Sequence, residues 1–243
     1  MMKFLDALRW RDASHSYAQS GEDLIINFIA QAMRIENMTY LDVGAHHPVN
    51  LSNTYLFYKR GHRGVLVEPD PLLLSEIRKV RPRDICVGAG VGTSEAESAR
   101  FFVMTARTLN TFSEAEAKRY EAMGTNRIEK VIDVPLVTVD SILAEHFPDA
   151  PPTVISIDVE GLDFEVLSTL DFQRHRAPIV CVETLSYSED RKESKDLRIP
   201  DLMAGNGYFV YADTYINTIF VETAAWRSSG HSASPGRCIL VRI

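Results

Sequence analysis

The chain has 243 residues, 45% hydrophobic and 24% charged, which suits one sizeable domain and excludes disorder of its body. A formal net charge of −7 supplies no global positive field to draw it to nucleic acid or an anionic membrane. No apolar stretch is long enough to span a bilayer, and "MMKFLDALRWRDASHSYAQ" lacks a signal peptide's apolar core. The cysteines, Cys86, Cys181 and Cys238, lack metal spacing and read as free thiols of a reducing cytoplasm.

In chain order, "SGED" (20–23) predicts a helix start, with Ser20 as N-cap and Asp23 completing a capping-box-like pair. "TYLDV" (39–43) predicts the first strand. "LSNTYLFYKRG" (51–61) predicts a helix capped by Ser52 or Asn53 and ended by Gly61. "GVLVE" (64–68) is the second strand; Asp70 as N-cap and Pro71 at the first helical position then open a helix. "DICVG" (84–88) is the third strand. "GAGVG" (88–92) leads into a strand-like segment, not a helix, so it reads as a tight turn. Residues 98–138 add a strand, a helix started by Ser113 and another strand. "TVISIDVE" (153–160) and "PIVCVE" (178–183) are core strands, with "LDFEVLSTLDF" as the helix between them. Residues 184–200 read as a polar, mobile loop. "GYFVYADT" and "NTIFVET" read as a final antiparallel pair.

Short, continuously apolar strands alternating with helices predict a doubly wound α/β sheet, mostly parallel with an antiparallel C-terminal strand. Ligands bind such sheets beyond the carboxyl ends of the strands. Four acids fall there: Asp42, Glu68, Asp158 and Glu183. "DVGAHHP" is a poor phosphate loop, because it offers an acid and no Lys-Ser/Thr. It is a poor dinucleotide loop, because only Gly44 remains of three glycines. Gly44 does let the backbone approach a ligand closely. Glu68 is placed to accept from ribose hydroxyls, at about 1.5–3 kcal/mol per charged hydrogen bond. An acid-rich edge without phosphate-binding features suits S-adenosylmethionine, which carries an ammonium and a sulfonium.

"YAQSGED" (17–23), "LDVGAHHPVNLSNTYLFYKRGHRGVLVEPDP" (41–71), "IDVEGLDFEVLSTLDF" (157–172) and "VCVET" (180–184), followed by "GY" and "NTIFV", resemble the FkbM family of S-adenosylmethionine-dependent methyltransferases. The likeness runs in order from about residue 16 to 222; Ala177 stands where a basic residue is expected. It implies a class I methyltransferase (Rossmann-like) fold and methyl transfer, commonly to a hydroxyl of a sugar or other small metabolite. It divides the chain into an N-terminal segment over the cleft (1–38), the methyltransferase domain (39–222) and a tail (223–243). Asp42, Gly44 and Ala45 resemble the cofactor's first-strand motif. Glu68 and Pro69 match the ribose position, and Gly88 and Ala89 the adenine edge. Gln19, Gly21 and Glu22 are implied to line the cleft, and Asn53 to touch it.

The chemical end is expected at Asp158, Glu160 and Glu183. An alcohol is a poor nucleophile and needs a general base or a Lewis acid. Asp158 is the best-placed base, and Asp163 reads as a helix-start acid. Asp158 with Glu183 could also hold Mg²⁺ or Mn²⁺. One histidine of His46 and His47 is expected in the catalytic cleft, and His46 is the candidate. The rival readings are a carboxyl- or N-methyltransferase, a cofactor-binding interaction module and, more distantly, a nucleic-acid methyltransferase. The acceptor is expected to be a small molecule or a glycan; oligomeric state leaves no mark on the sequence.

Overall fold

A computed structural model describes residues 15–94, 96–159, 161–186 and 194–231. Its centre is a seven-stranded sheet. In chain order the strands are β1 (Thr39–Val43), β2 (Arg63–Val67), β3 (Ile85–Val87), β7 (Val154–Ile157), β8 (Ile179–Glu183), β11 (Tyr208–Asp213) and β12 (Asn217–Glu222). Their spatial order is β11-β12-β8-β7-β1-β2-β3. β3, β2, β1, β7 and β8 pair in parallel, whereas β12 pairs antiparallel with both β8 and β11. Only β12 therefore runs against the rest. This is the expected doubly wound sheet with one reversed C-terminal strand.

The helices lie on two faces. α1 (Glu22–Ala32), α2 (Tyr55–Lys59) and α3 (Pro71–Val80) cover one, packing Ile26, Ile29, Phe57 and Ile77 against Tyr40, Leu66, Val154 and Ile219. α5 (Val139–His146), α6 (Asp163–Ser168) and α7 (Arg198–Gly205) cover the other, with Ile142, Leu143, Leu167 and Met203 on Val43, Ile155 and Val180. Each such fully buried side chain contributes about 1.5–3 kcal/mol. β1 and β7 are neighbours, yet the chain leaves them for helices on opposite faces. The switch point of the sheet, where a crevice opens, thus lies between Val43 and Ile157.

Residues 90–137 form a separate three-stranded sheet of β4 (Gly90–Val91), β6 (Ile128–Val137) and β5 (Ala96–Met104), with α4 (Glu114–Ala122) capped by Ser113 as expected. It docks on the main body where Arg107 and Asn110 both donate to Asp70 Oδ2, each at 3.0 Å. "GAGVG" (88–92) opens no helix, but it is not simply the tight turn expected: its Gly90–Val91 are β4 itself, paired in parallel with β6.

Several predicted boundaries move. α1 starts at Glu22 with Gly21, at φ 90°, as its N-cap and no side-chain cap. Ser20 is therefore not the cap, and Asp23 instead accepts from Ser16 Oγ and Tyr17 N. The 51–61 helix shrinks to α2, because Leu51 has φ 59° and Ser52 Oγ accepts from Tyr55 N in a turn. The 162–172 helix stops at Ser168, where the Ser168 and Thr169 hydroxyls take the carbonyls of Glu165 and Val166. The 184–200 stretch holds β9 (Leu185–Ser186) paired with β10 (Ser194–Lys195), then the start of α7. The tail begins as α8 (Thr223–Ser228), where Trp226 stacks on His231 at 4.4 Å. Cys86 and Cys181 are free, and Cys238 lies outside the described residues.

Candidate active site

Strand pairing sets the site before any side chain is considered. Asp42 stands opposite Ser156, Ser156 opposite Cys181, and Glu183 opposite Asn217. Because residues two apart share a face, Asp42, Ser156, Cys181, Glu183 and Asn217 line one face, the one α1 and α2 cover. The buried Cys181 thiol is pushed up by burial and then by the charges of Glu22, Asp42 and Asp158, which converge on it.

Gly44 sits at the switch point with φ 78°. A Cβ there would lie 1.8 Å from the Asp158 carbonyl oxygen, so only glycine lets the turn after β1 pass the end of β7. Gly44 N and Ala45 N both donate to Val67 O at 3.1 Å. Asn53 Nδ2 donates to Ser156 Oγ at 3.1 Å, which places Asn53 on the floor of the crevice.

On the β2 side, Glu68 is 4% exposed. Its Oε2 accepts from His46 N at 2.9 Å and its Oε1 from Asp70 N at 2.8 Å. Burial raises its pKa to about 8, although those two N–H groups oppose the shift. His46 has φ 48° and a buried Nε2 without a partner among the described residues. Burial, then neighbouring His47, lowers the His46 pKa below its ordinary value. Its contact runs to Glu68 and not to the acids at the far end. His47 Nδ1 accepts from Val49 N and Asn50 N, so this histidine closes the turn. Pro69 is half-buried, Gly88 exposed and Ala89 buried, all on the same side of the switch point.

On the β7–β8 side, Asp158, Asp163 and Glu183 each offer a carboxylate oxygen within 4.8 Å of the others. Asp163 accepts from Val159 N and Gly161 N and so shapes the turn. Burial, then the charge of Asp158, raises Asp163 to about 7. Asp163 thus belongs with the acids as well as with its helix start. Glu160 falls outside the described residues. A cavity of about 460 Å³ adjoins this group, lined among others by Phe164, Thr184, Lys195 and Arg198, within the ~300–1,000 Å³ of small-molecule sites. Its cations are already paired, Lys195 with Asp213 and Arg198 with Asp196 and Glu165.

The N-terminal segment crosses the β8–β12 end. Glu22, fully buried, accepts from Ser20 N, Thr214 Oγ1 and Asn217 Nδ2. That bond turns Asn217 Oδ1 away from Glu22; it is buried and unpartnered among the described residues. Asn217 was not singled out in the sequence; "NTIFV" was its only signal. Gln19 is exposed at the segment's surface.

Several solved methyltransferases resemble this chain at low identity. The chain resembles CalS10 from Micromonospora echinaspora, an amino pentose methyltransferase solved with bound S-adenosylmethionine, at 11% identity and TM-score 0.44 over 90% of this chain and 97% of that one. It resembles a TehB-like methyltransferase from Corynebacterium glutamicum at 11% and 0.42 over 89% and 96%. An O-methyltransferase from Bacillus cereus aligns at 10% and 0.42 over 89% and 90%. No functionally curated protein matches the sequence. The methyltransferase FkbM domain matches residues 42–210, which carry the switch point, Glu68 and the acid group. On that match the chain belongs to the FkbM methyltransferase family and is an S-adenosylmethionine-dependent methyltransferase.

Proposed function

We propose that this methyltransferase transfers the methyl group to a hydroxyl oxygen of a sugar or related hydroxylated metabolite. The observation that carries the reading is the group of Asp158, Asp163 and Glu183 beside a cavity whose lysine and arginine are already paired. Such a pocket offers hydrogen-bond acceptors to hydroxyl donors, and among the described residues its cations already have carboxylate partners. In our reading Glu68 holds the ribose hydroxyls, with His46 and Pro69 beside it and Gly88 and Ala89 along the adenine edge. Gly44, Ala45 and Asn53 line the centre, and the 15–22 segment covers the methionine end.

Methyl transfer is then an in-line displacement. The acceptor oxygen forms a bond to the methyl carbon as the carbon–sulfur bond breaks, its electron pair passing to sulfur. Asp158 takes the hydroxyl proton, and Glu183 orients the acceptor. Holding both reactants in line converts an encounter into an intramolecular step. A second reading gives the acid group to Mg²⁺ or Mn²⁺, because three carboxylates with oxygen atoms this close suit a hard cation. A bound cation would supply Lewis-acid activation of the hydroxyl. The free thiols Cys86 and Cys181 support work in the reducing cytoplasm.

The test is calorimetric titration of S-adenosylhomocysteine, with EDTA and then with Mg²⁺ or Mn²⁺, followed by turnover on hydroxylated acceptors. Base-stable methyl products support ether formation. Base-labile products would move the acceptor to a carboxylate, and binding without turnover on any acceptor would favour an interaction module. A cation-dependent turnover assigns the acids to metal.

A further inference from the structure

We propose that Arg81 is a positioning residue of the methyl-transfer site, holding the Asp42 carboxylate in place through the Thr54 hydroxyl. This rests on reading Asp42 as a cofactor-side acid. Arg81 follows α3, away from the crevice, and is fully buried. Its Nε donates to Asp84 Oδ2 at 2.8 Å, its Nη1 to Ser52 Oγ at 3.3 Å and its Nη2 to Thr54 Oγ1 at 3.0 Å. Thr54, also fully buried, donates in turn to Asp42 Oδ2. The direction is fixed by chemistry: a guanidinium only donates, so the one hydroxyl proton of Thr54 is left for Asp42.

The guanidinium is over-determined. It lies 5.5 Å from the Tyr40 ring centroid, 6.0 Å from that of Tyr55 and 5.3 Å from that of Tyr58. Asp84 is anchored separately by Tyr40 Oη and Gly64 N. A buried charge is costly unless paired and hydrogen-bonded, and Asp84 alone would neutralise Arg81. The two further bonds to Ser52 and Thr54 reach toward β1 and add nothing to that pairing. The bond to Thr54 connects the cation to Asp42, the strand-end acid of β1, and the bond to Ser52 fixes the turn that carries Thr54.

The charged and titratable groups acting on Asp42 come from every side. Arg81 and Asp84 act from the α3–β3 connection; Glu68 beyond β2 and Cys181 on β8 share its field. Burial, the largest influence, raises the Asp42 pKa above its ordinary value, and the Arg81 charge and the Thr54 hydrogen bond oppose that rise. Without them, the Asp42 carboxyl is pushed further toward its neutral form and its geometry loses the Thr54 donor.

The experiment titrates S-adenosylhomocysteine into wild type, Thr54→Val, Arg81→Met, Arg81→Lys and Ile142→Val, from about pH 6 to about pH 9, with a melting curve for each. Thr54→Val keeps the shape of the side chain and removes the relay. The expected result is about tenfold weaker binding at neutral pH for Thr54→Val and Arg81→Met, with the pH profile of binding moved upward because both variants remove a group that opposes the rise of the Asp42 pKa. Arg81→Lys restores part of the loss. Ile142→Val trims a core side chain on the opposite face of the sheet, lowers the melting temperature and leaves affinity alone. Folded Thr54→Val with wild-type affinity at every pH overturns the relay, even where Arg81→Met fails to fold. Wild type that does not bind at all overturns the cofactor-side reading of Asp42 and the relay with it.

Discussion

The two ends of the cleft are built from different materials. At the β2 end, Glu68 is held by two backbone N–H groups, His46 N and Asp70 N. At the β8 end, three carboxylates from the turn after β7, from α6 and from β8 meet beside a cavity bordered by β10 and the start of α7. Backbone donors are fixed by the fold and hold the Glu68 carboxyl in one place. Side chains at a loop-bordered pocket can be exchanged without disturbing the sheet. On the proposed function, the difference places the cofactor end in the first half of the fold and acceptor choice where the second half leaves the sheet.

The sharpest way to break this division is Asp158→Asn. A general base contributes about 10²–10⁴-fold in rate. Turnover should fall by that factor, with S-adenosylhomocysteine affinity unchanged by calorimetry. Equal losses in binding and turnover would show that the two ends are one site.

Glu68→Ala should do the reverse. Losing the charged bonds to ribose costs about 1.5–3 kcal/mol, roughly 10- to 150-fold in cofactor affinity. Acceptor selectivity among hydroxylated compounds should not move. A changed selectivity at saturating cofactor would undo the assignment.

The same residue predicts a pH dependence. Burial raises Glu68 from the ordinary 4.5 to about 8. The folded protein without ligand therefore holds this proton more tightly than the unfolded chain. That stabilisation is complete below about pH 4.5 and is lost as pH rises through about 8. Ribose hydroxyls donate to the carboxylate and favour its ionised form, so binding releases a proton. Cofactor affinity should rise with pH up to about 8, by at most about tenfold per unit. A flat profile would mean that Glu68 is already ionised or does not meet the ribose.

The β2 end was legible in the sequence because its parts are local. Strand-end position announced Glu68, and Asp70–Pro71 announced the helix beside it. The acid group was legible only in part. Asp163 reads as an ordinary helix-start acid, and only the fold brings it to Glu183. Arg81 was invisible, since a basic residue ending "SEIRKVR" looks like a helix-dipole partner. α7 was hidden by Pro200, which reads as a breaker but falls in the helix's first turn, where its missing N–H costs nothing. Asn217 is a strand-start residue by pattern, and its tie to Glu22 spans 195 positions.

α5 was missed as well, and it gives the smallest test. The apolar "VPLV" runs straight into it, and its capping box uses Ser141 where Glu or Gln is the usual signal. Thr138 Oγ1 accepts from Ser141 N at 3.1 Å, and Ser141 Oγ accepts from Thr138 N at 3.1 Å. Thr138→Ala should cost about 1 kcal/mol, seen as a modest fall in melting temperature. α5 packs on the face opposite Asp42 and Glu183, so both cofactor affinity and turnover should hold. A variant that melts only slightly earlier yet binds cofactor poorly would show that the two faces of the sheet are coupled. The division between a fold-fixed cofactor end and an exchangeable acceptor end would then be too simple, because packing behind the sheet would reach the site as strongly as the residues in it.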